Sequence, residues 1–231
     1  MIQYNAIVLA AGQGKRMNVG KNKQFIHLSG QPLIIHTLAR FAEDEWCQTI
    51  YLVINPAEKD DITTLLHSFD WKDRIVFVNG GEERQDSGYK GLQAVEGETD
   101  IVMIHDGARP FIETSYLHQL AEKADYTGAA LLAVPVTDTI KQKQNTSLTT
   151  LDRQALWAAQ TPQAFKYSII KRAHDMARHE QYIGTDDSEL VERLGQSVDI
   201  VHGSYQNVKL TTPEDIARAE AILNKTDKGE R

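Results

Sequence analysis

Cysteine is almost missing: Cys47 is the only one in 231 residues. That excludes an intrachain disulfide and a cysteine-based zinc site. Cys47 follows Trp46 at the head of an apolar run, so it reads as an inert buried thiol. No stretch approaches the roughly eighteen uninterrupted apolar residues of a membrane-crossing helix. The opening residues, MIQYNAIVLAAG, lack a cationic flank ahead of a long apolar core, so they read as a strand and not as a signal peptide. The expected location is the cytoplasm, with no membrane partner. A basic surplus is missing too. Lys and Arg number 25 against 32 Asp and Glu, a net charge of -7, which argues against a nucleic-acid partner. Internal repeats and low-complexity tracts are absent.

What is present is ordinary for a globular protein: 41% apolar and 25% charged residues. The length suits one domain spanning 1–231. Short apolar runs alternate with helical spacing. Strands are expected at Ala6–Ala10, Thr49–Asn55, Ile75–Val78, Asp100–Asp106 and Gly128–Val136. Helices are expected at Pro32–Phe41, Ala57–Phe69, Gln85–Ala94 and Ser115–Ala124. Uninterrupted apolar strands alternating with helices imply an α/β fold with a mainly parallel sheet and helices on both faces. Ligands of such sheets sit beyond the carboxyl ends of the strands, so the loops after Ala10, Val78 and Ile104 should meet.

Residues 137–160 break the rhythm. Two short alternating stretches flank a polar turn at Gln144–Ser147, which reads as a protruding hairpin. A lone two-stranded ribbon is marginal in water, so a second subunit is expected to cover it. Order then returns, with helices at Ser168–Gln181 and Thr185–Leu194, a strand in VDIVHG, a short strand in NVKL, and a final helix at Thr212–Leu223 capped by Thr212.

The loop VLAAGQGKRM matches neither common phosphate motif. Its third glycine position is Met17, and Lys15 is followed by Arg16 where a Walker A loop needs Ser or Thr. The chemistry still suits an anion. Gly12 and Gly14 allow close backbone approach. Lys15, Arg16, Lys21 and Lys23 lie within nine residues on an acidic protein, which suits a triphosphate and its metal.

The stretches LAAGQGKRM, NKQF and QPLIIHTL resemble the N-terminal signature of sugar- and polyol-phosphate nucleotidyltransferases. GGEERQDSGYKGL, HDGARPF, DTI, TPQAF, GTDDSELVE and NVKLTTPED follow in order along nearly the whole chain. Together they resemble the 2-C-methyl-D-erythritol 4-phosphate cytidylyltransferases. One departure is Asn22, where many relatives place a proline before the lysine of NKQF. The ribitol-5-phosphate cytidylyltransferases share the first loop, HD, TPQ and the final KxTTP. A UTP-using relative and a non-catalytic nucleotide-binding regulator are further alternatives. Bifunctional relatives carry a second enzyme after the last helix, so one activity is expected here.

The resemblance implies a Rossmann-like nucleotidyltransferase fold with a twisted, mainly parallel sheet and a β-hairpin arm exchanged across a homodimer. It implies CTP and a polyol phosphate as substrates and Mg2+ as the divalent cofactor. Arg16 and Lys23 would stabilise the transition state, Arg153 would orient the attacking phosphate across the dimer, and Lys209 would bridge the two phosphates. Ala10, Ala11 and Gly12 would lie against the nucleotide, and Gly81, Glu82 and Ser87 would bracket cytosine and ribose. Asp106, Arg109, Thr139, Thr161 and Thr185 would serve the polyol substrate, with Asp186 helping to close its pocket. Asp106 could equally hold the metal. His105 reads as structural and Arg84 as a packing or salt-bridge residue.

Overall fold

A computed structural model describes residues 2–12, 23–97 and 100–227. The chain opens with β1 (Tyr4–Leu9), which is buried on both faces and apolar apart from Asn5. Tyr4, Ala6 and Val8 join one core, and Ile7 joins the other. This is the period-two alternation of a strand covered on both sides. After a short 3-10 turn at Lys23–Phe25 come β2 (His27–Leu28) and β3 (Gln31–Pro32), a two-stranded clip. Helix α1 (Leu33–Ala42) follows, with Pro32 as its N-cap residue. Next are β4 (Cys47–Ile54), α2 (Lys59–Leu66), β5 (Ile75–Asn79), α3 (Arg84–Ala94), β6 (Ile101–Asp106), α4 (Thr114–Thr127) and β7 (Ala129–Pro135). The ribbon β8 (Lys141–Gln144) and β9 (Ser147–Thr150) precedes β10 (Trp157–Lys166), α5 (Tyr167–His179), α6 (Asp187–Arg193), β11 (Asp199–His202) and α7 (Pro213–Asp227).

Among the described residues, seven strands form one sheet in the order β11-β7-β10-β6-β1-β4-β5. Every pairing is parallel except the two made by β10. Helices α1, α2 and α4 cover one face, through side chains such as Leu38, Phe41, Ile62 and Leu120. Helices α3, α5 and α6 cover the other, through Leu92, Ile170, Ala173 and Val191. Helix α7 packs with Leu28, Leu33, Phe111 and Leu210, so it clamps the clip after Lys23 to the loop carrying Lys209. The expected mainly parallel sheet with helices on both faces is present. Cys47 is a buried free thiol, pushed up to about 12 by burial.

Four local expectations differ from the structure. The hairpin arm does not reach residue 160, because Trp157–Lys166 is a central strand of the main sheet. Pro162 fits there because the pairing of β10 with β7 shifts register between Ala159 and Gln163, where a missing N–H disrupts no ladder. NVKL is a loop tied to the core by the Leu210 N–H on the Ala108 carbonyl. The helix expected from Thr185 begins at Asp187. Asp186 is its N-cap and accepts the Glu189 N–H at 2.9 Å, while the Thr185 hydroxyl donates to the Glu189 carboxylate. The helix expected from Ala57 starts as a 3-10 turn at Pro56–Glu58.

The ribbon itself stands as expected. All eight of its strand residues are exposed, and Asn145 adopts φ 52° at its turn.

Candidate active site

The strand order reverses between β1 and β6, and the chain ends of β1, β5 and β6 meet there. A cleft of about 410 Å³ lies over them, a size suited to a small-molecule ligand. Ala11 and Gly12 form one wall and Lys23 and Gln24 another. Gly81, Glu82, Arg84 and Ser87 close the side above α3, and Asp106 and Lys209 lie opposite. A second cleft of about 440 Å³ continues from Gly12 and Gly81 towards Asn55 and Pro56.

The turn after β5 is built for close approach. A Cβ at Gly81 would sit 2.2 Å from the Cβ of Asp86, so only glycine fits. The Gly81 N–H donates to Ser87 Oγ at 3.0 Å, and a Glu83–Asp86 capping box starts α3. The N-terminus of α3 thus opens on the cleft, where a helix start suits an anion.

Asp106 is the electrostatic hub. Lys209 Nζ lies 2.8 Å from its Oδ2, Arg84 Nε 3.4 Å from its Oδ1 and Arg109 Nε 3.7 Å from its Oδ2. Burial alone would raise this carboxyl, but Arg84 and Lys209 override it and hold it well below the usual carboxylate range. It is therefore ionised at neutral pH and aims the Lys209 ammonium along the cleft. Gly107 lets this loop press on β1: its N–H donates to the Leu9 carbonyl at 2.9 Å, and a Cβ there would lie 3.0 Å from that oxygen.

Arg109 and Thr161 act from behind the wall. Arg109 Nη1 donates to the Asn207 carbonyl at 2.7 Å, bracing the Lys209 loop. The Thr161 hydroxyl accepts the Asp106 N–H at 3.0 Å and faces His105 Nδ1 at 3.2 Å. Ala10 is buried beneath the cleft with its N–H on the Val53 carbonyl. Thr185 is exposed and bonded to Glu189, away from the cleft wall. Thr139 and Arg153 sit on the exposed arm, where Arg153 Nη1 donates to the Thr137 carbonyl at 2.8 Å. Arg16, with Lys15 and Lys21, lies outside the described residues.

Reading the sequence for motifs undervalued Arg84. It does form salt bridges, to Asp106 and at 2.8 Å to Asp187, yet it also lines the cleft. Its place in GGEER, at the start of a helix after a glycine turn, was the available signal. Gln24, buried on the cleft wall beside Lys23, was missed as well.

His105 is buried and neutral, as its hydrogen bonds require. The Arg109 carbonyl can only accept, so Nε2 carries the proton and Nδ1 accepts from Thr161. Burial lowers its pKa from 6.5 to about 4. Between those values the unfolded chain binds a proton that the folded chain refuses. Stability from this ring is therefore complete above pH 6.5 and declines as pH falls towards 4, by as much as about 1.4 kcal/mol per pH unit. Thermal unfolding followed from pH 7.5 to 4 should show this decline, and His105→Gln should flatten it. Equal pH slopes in the two proteins would contradict the assignment.

Comparison with known proteins converges on one family. The family model described as IspD, 2-C-methyl-D-erythritol 4-phosphate cytidylyltransferase, matches residues 4–225. A protein of that name from Geobacillus kaustophilus is 54% identical over 223 residues, covering 96% of this chain and 97% of its own. One from Bacillus licheniformis is 51% identical over 230 residues and 99% of both chains. The crystal structure of 4-diphosphocytidyl-2C-methyl-D-erythritol synthase from Anaerococcus prevotii superposes with a TM-score of 0.86 at 31% identity, covering 96% of each chain.

Proposed function

This chain belongs to the 2-C-methyl-D-erythritol 4-phosphate cytidylyltransferase family, and from that premise we propose how its residues perform the reaction. The enzyme transfers CMP from CTP to 2-C-methyl-D-erythritol 4-phosphate, giving 4-diphosphocytidyl-2-C-methyl-D-erythritol and pyrophosphate, a step of isoprenoid biosynthesis. Ribitol 5-phosphate is not favoured as the acceptor, because relatives matching nearly the whole chain carry the methylerythritol name. The observation that supports the residue roles best is the cluster of Arg84, Arg109 and Lys209 around Asp106 at the sheet's reversal point, in a cleft that Lys23 also lines.

The phosphate of the acceptor attacks the α-phosphorus of CTP in line, and pyrophosphate leaves. A phosphate monoester is largely ionised at neutral pH, so no side chain needs to remove a proton. Negative charge builds on the α-phosphoryl oxygens, and fixed cations stabilise it most effectively. Lys23 takes the triphosphate side, together with Arg16. Lys209, aimed by Asp106, bridges the attacking and α-phosphates. Ala10, Ala11 and Gly12 leave room for the nucleotide, and Gly81, Glu82 and Ser87 read cytosine and ribose. Arg109 and Thr161 serve the acceptor by fixing the Asp106 loop.

The arm suggests a homodimer. Leu148 is 66% exposed and Trp157 is 40% exposed, apolar surface that a second copy would cover. Arg153 and Thr139 lie away from their own cleft, so they would serve the partner's acceptor phosphate, Arg153 by a bidentate contact. Among the described residues no helix is long and apolar enough to cross a membrane. We place the enzyme in the cytoplasm.

Among the described residues, no group of three His, Cys, Asp or Glu side chains could hold a metal unaided. Asp106, ionised beside the triphosphate cations, fits an ion whose other ligands are phosphate oxygens and water, the usual manner of magnesium with nucleotides. Asp106 would hold it from the protein side, and the bound ion would supply charge neutralisation on the phosphates. EDTA should abolish pyrophosphate release, and excess magnesium should restore it. Turnover that survives thorough chelation would remove the ion from this scheme.

A further inference from the structure

We propose that His174, buried behind the site, is a positioning residue for CTP: through Asp187 it fixes the Arg84 guanidinium on the cleft wall. The proposal rests on the reading of the cleft as the CTP site. His174 of α5 is fully buried, and its Nε2 lies 3.0 Å from Asp187 Oδ1. The other carboxylate oxygen, Oδ2, accepts from Arg84 Nη1 at 2.8 Å. Arg84 then reaches Asp106 with Nε at 3.4 Å. The contacts therefore run unbroken from the interior to the cleft: His174, Asp187, Arg84, Asp106, Lys209.

Three observations separate this pair from an ordinary buried contact. First, a carboxylate only accepts, so His174 Nε2 is the donor; Nδ1 is buried with no hydrogen-bond partner among the described residues. Buried rings usually satisfy both nitrogens, so the polar function of this one is spent on Asp187. Second, Asp187 has one oxygen for each cationic or donor neighbour, which prevents the carboxylate from rocking about the Arg84 contact. Third, α3 carries Gly88 one turn after Arg84, in mid-helix, where glycine is unfavourable. A Cβ there would sit 3.3 Å from Asp187 Oδ1 and 3.4 Å from His174 Cε1, closer than the pair tolerates without moving. The helix that presents Arg84 thus leaves space for the pair that holds it.

The test compares His174→Leu, His174→Gln and Gly88→Ala with the wild type. CTP affinity is measured by calorimetric titration, KM for CTP by steady-state assay, and folding by thermal unfolding. His174→Leu should raise both Kd and KM for CTP by about tenfold, the size of one weakened charge-assisted contact. His174→Gln, whose amide N–H can replace Nε2–H, should remain within about threefold of wild type. Gly88→Ala presses its Cβ on the pair and makes it shift by a few tenths of an ångström, so it should weaken CTP binding in a protein that thermal unfolding shows to be folded. If His174→Leu does not fold, Gly88→Ala decides. A folded His174→Leu or a Gly88→Ala protein that binds CTP as tightly as wild type overturns the proposal. A wild type that fails to bind CTP overturns instead the reading of the cleft.

Discussion

Lys209→Ala lowers kcat/KM by about 10²–10³ while leaving the fold intact, as expected for loss of a preorganised charge contact. The Lys209 side chain is 35% exposed and lines the cleft, with its ammonium held 2.8 Å from Asp106. Its loop is braced independently, by Arg109 on the Asn207 carbonyl, by the Asn207 side chain on the Thr161 carbonyl at 2.9 Å, and by Leu210 on Ala108. Removing the ammonium therefore does not release the backbone. Asp106 retains Arg84 and Arg109 as partners, so no buried charge is stranded. The loss falls on the transition state, where the bridged phosphates carry the most charge. Lys209→Arg should rescue poorly, since a planar fork cannot occupy the place of a compact ammonium. Steady-state kinetics with thermal unfolding separates the effects. Activity within threefold of wild type would remove Lys209 from the reaction.

Mixing two inactive proteins should restore activity. Arg153→Ala leaves a protomer with its own Lys209 but a defective arm, and Lys209→Ala leaves the arm intact. If the arm serves the partner's cleft, a mixed dimer contains one complete site, built from Lys209 of one protomer and Arg153 of the other. Random exchange then yields roughly a quarter of wild-type activity from two proteins that have almost none, a consequence of two-fold symmetry. The geometry motivates the experiment: Arg153 is exposed, bonded to its own arm at Thr137, and absent from the walls of its own cleft. Subunits are mixed under mild denaturant, refolded and assayed. Activity that stays at the level of the separate proteins would place Arg153 with its own site or outside catalysis.

Much of the fold was readable because β1, β4, β6 and β7 carry the apolar runs AIVL, IYLVI, IVMI and AALLAV, the first three followed by helical spacing. Strand β10 was not, because its centre is Gln160, Thr161, Pro162 and Gln163. Those polar residues are buried by partners far away in sequence: Gln160 donates to the Ser204 carbonyl, and Gln163 donates to Asp186 and accepts from Ser188. Apolar patterning is blind to a strand whose side chains are satisfied in this way. NVKL read as a strand from its alternation, but it has no neighbouring strand to pair with among the described residues. In the site, the loops after β1, β5 and β6 could be expected to meet from the strand–helix alternation of a parallel sheet. The resemblance, and not the spacing, supplied roles for Lys23 and Lys209. The chain of contacts from His174 through Asp187 to Arg84 was hidden because Arg84 and Asp187 are 103 positions apart and are brought together only by the folded sheet and its helices.

Pyrophosphate release tests the central claim most directly. The purified protein is assayed with CTP and magnesium, once with 2-C-methyl-D-erythritol 4-phosphate and once with ribitol 5-phosphate. Fast release with the methylerythritol substrate, negligible release with ribitol 5-phosphate, and loss of activity in Lys23→Ala are the expected result. Release with ribitol 5-phosphate in preference, or release with neither acceptor from a folded protein, would contradict it.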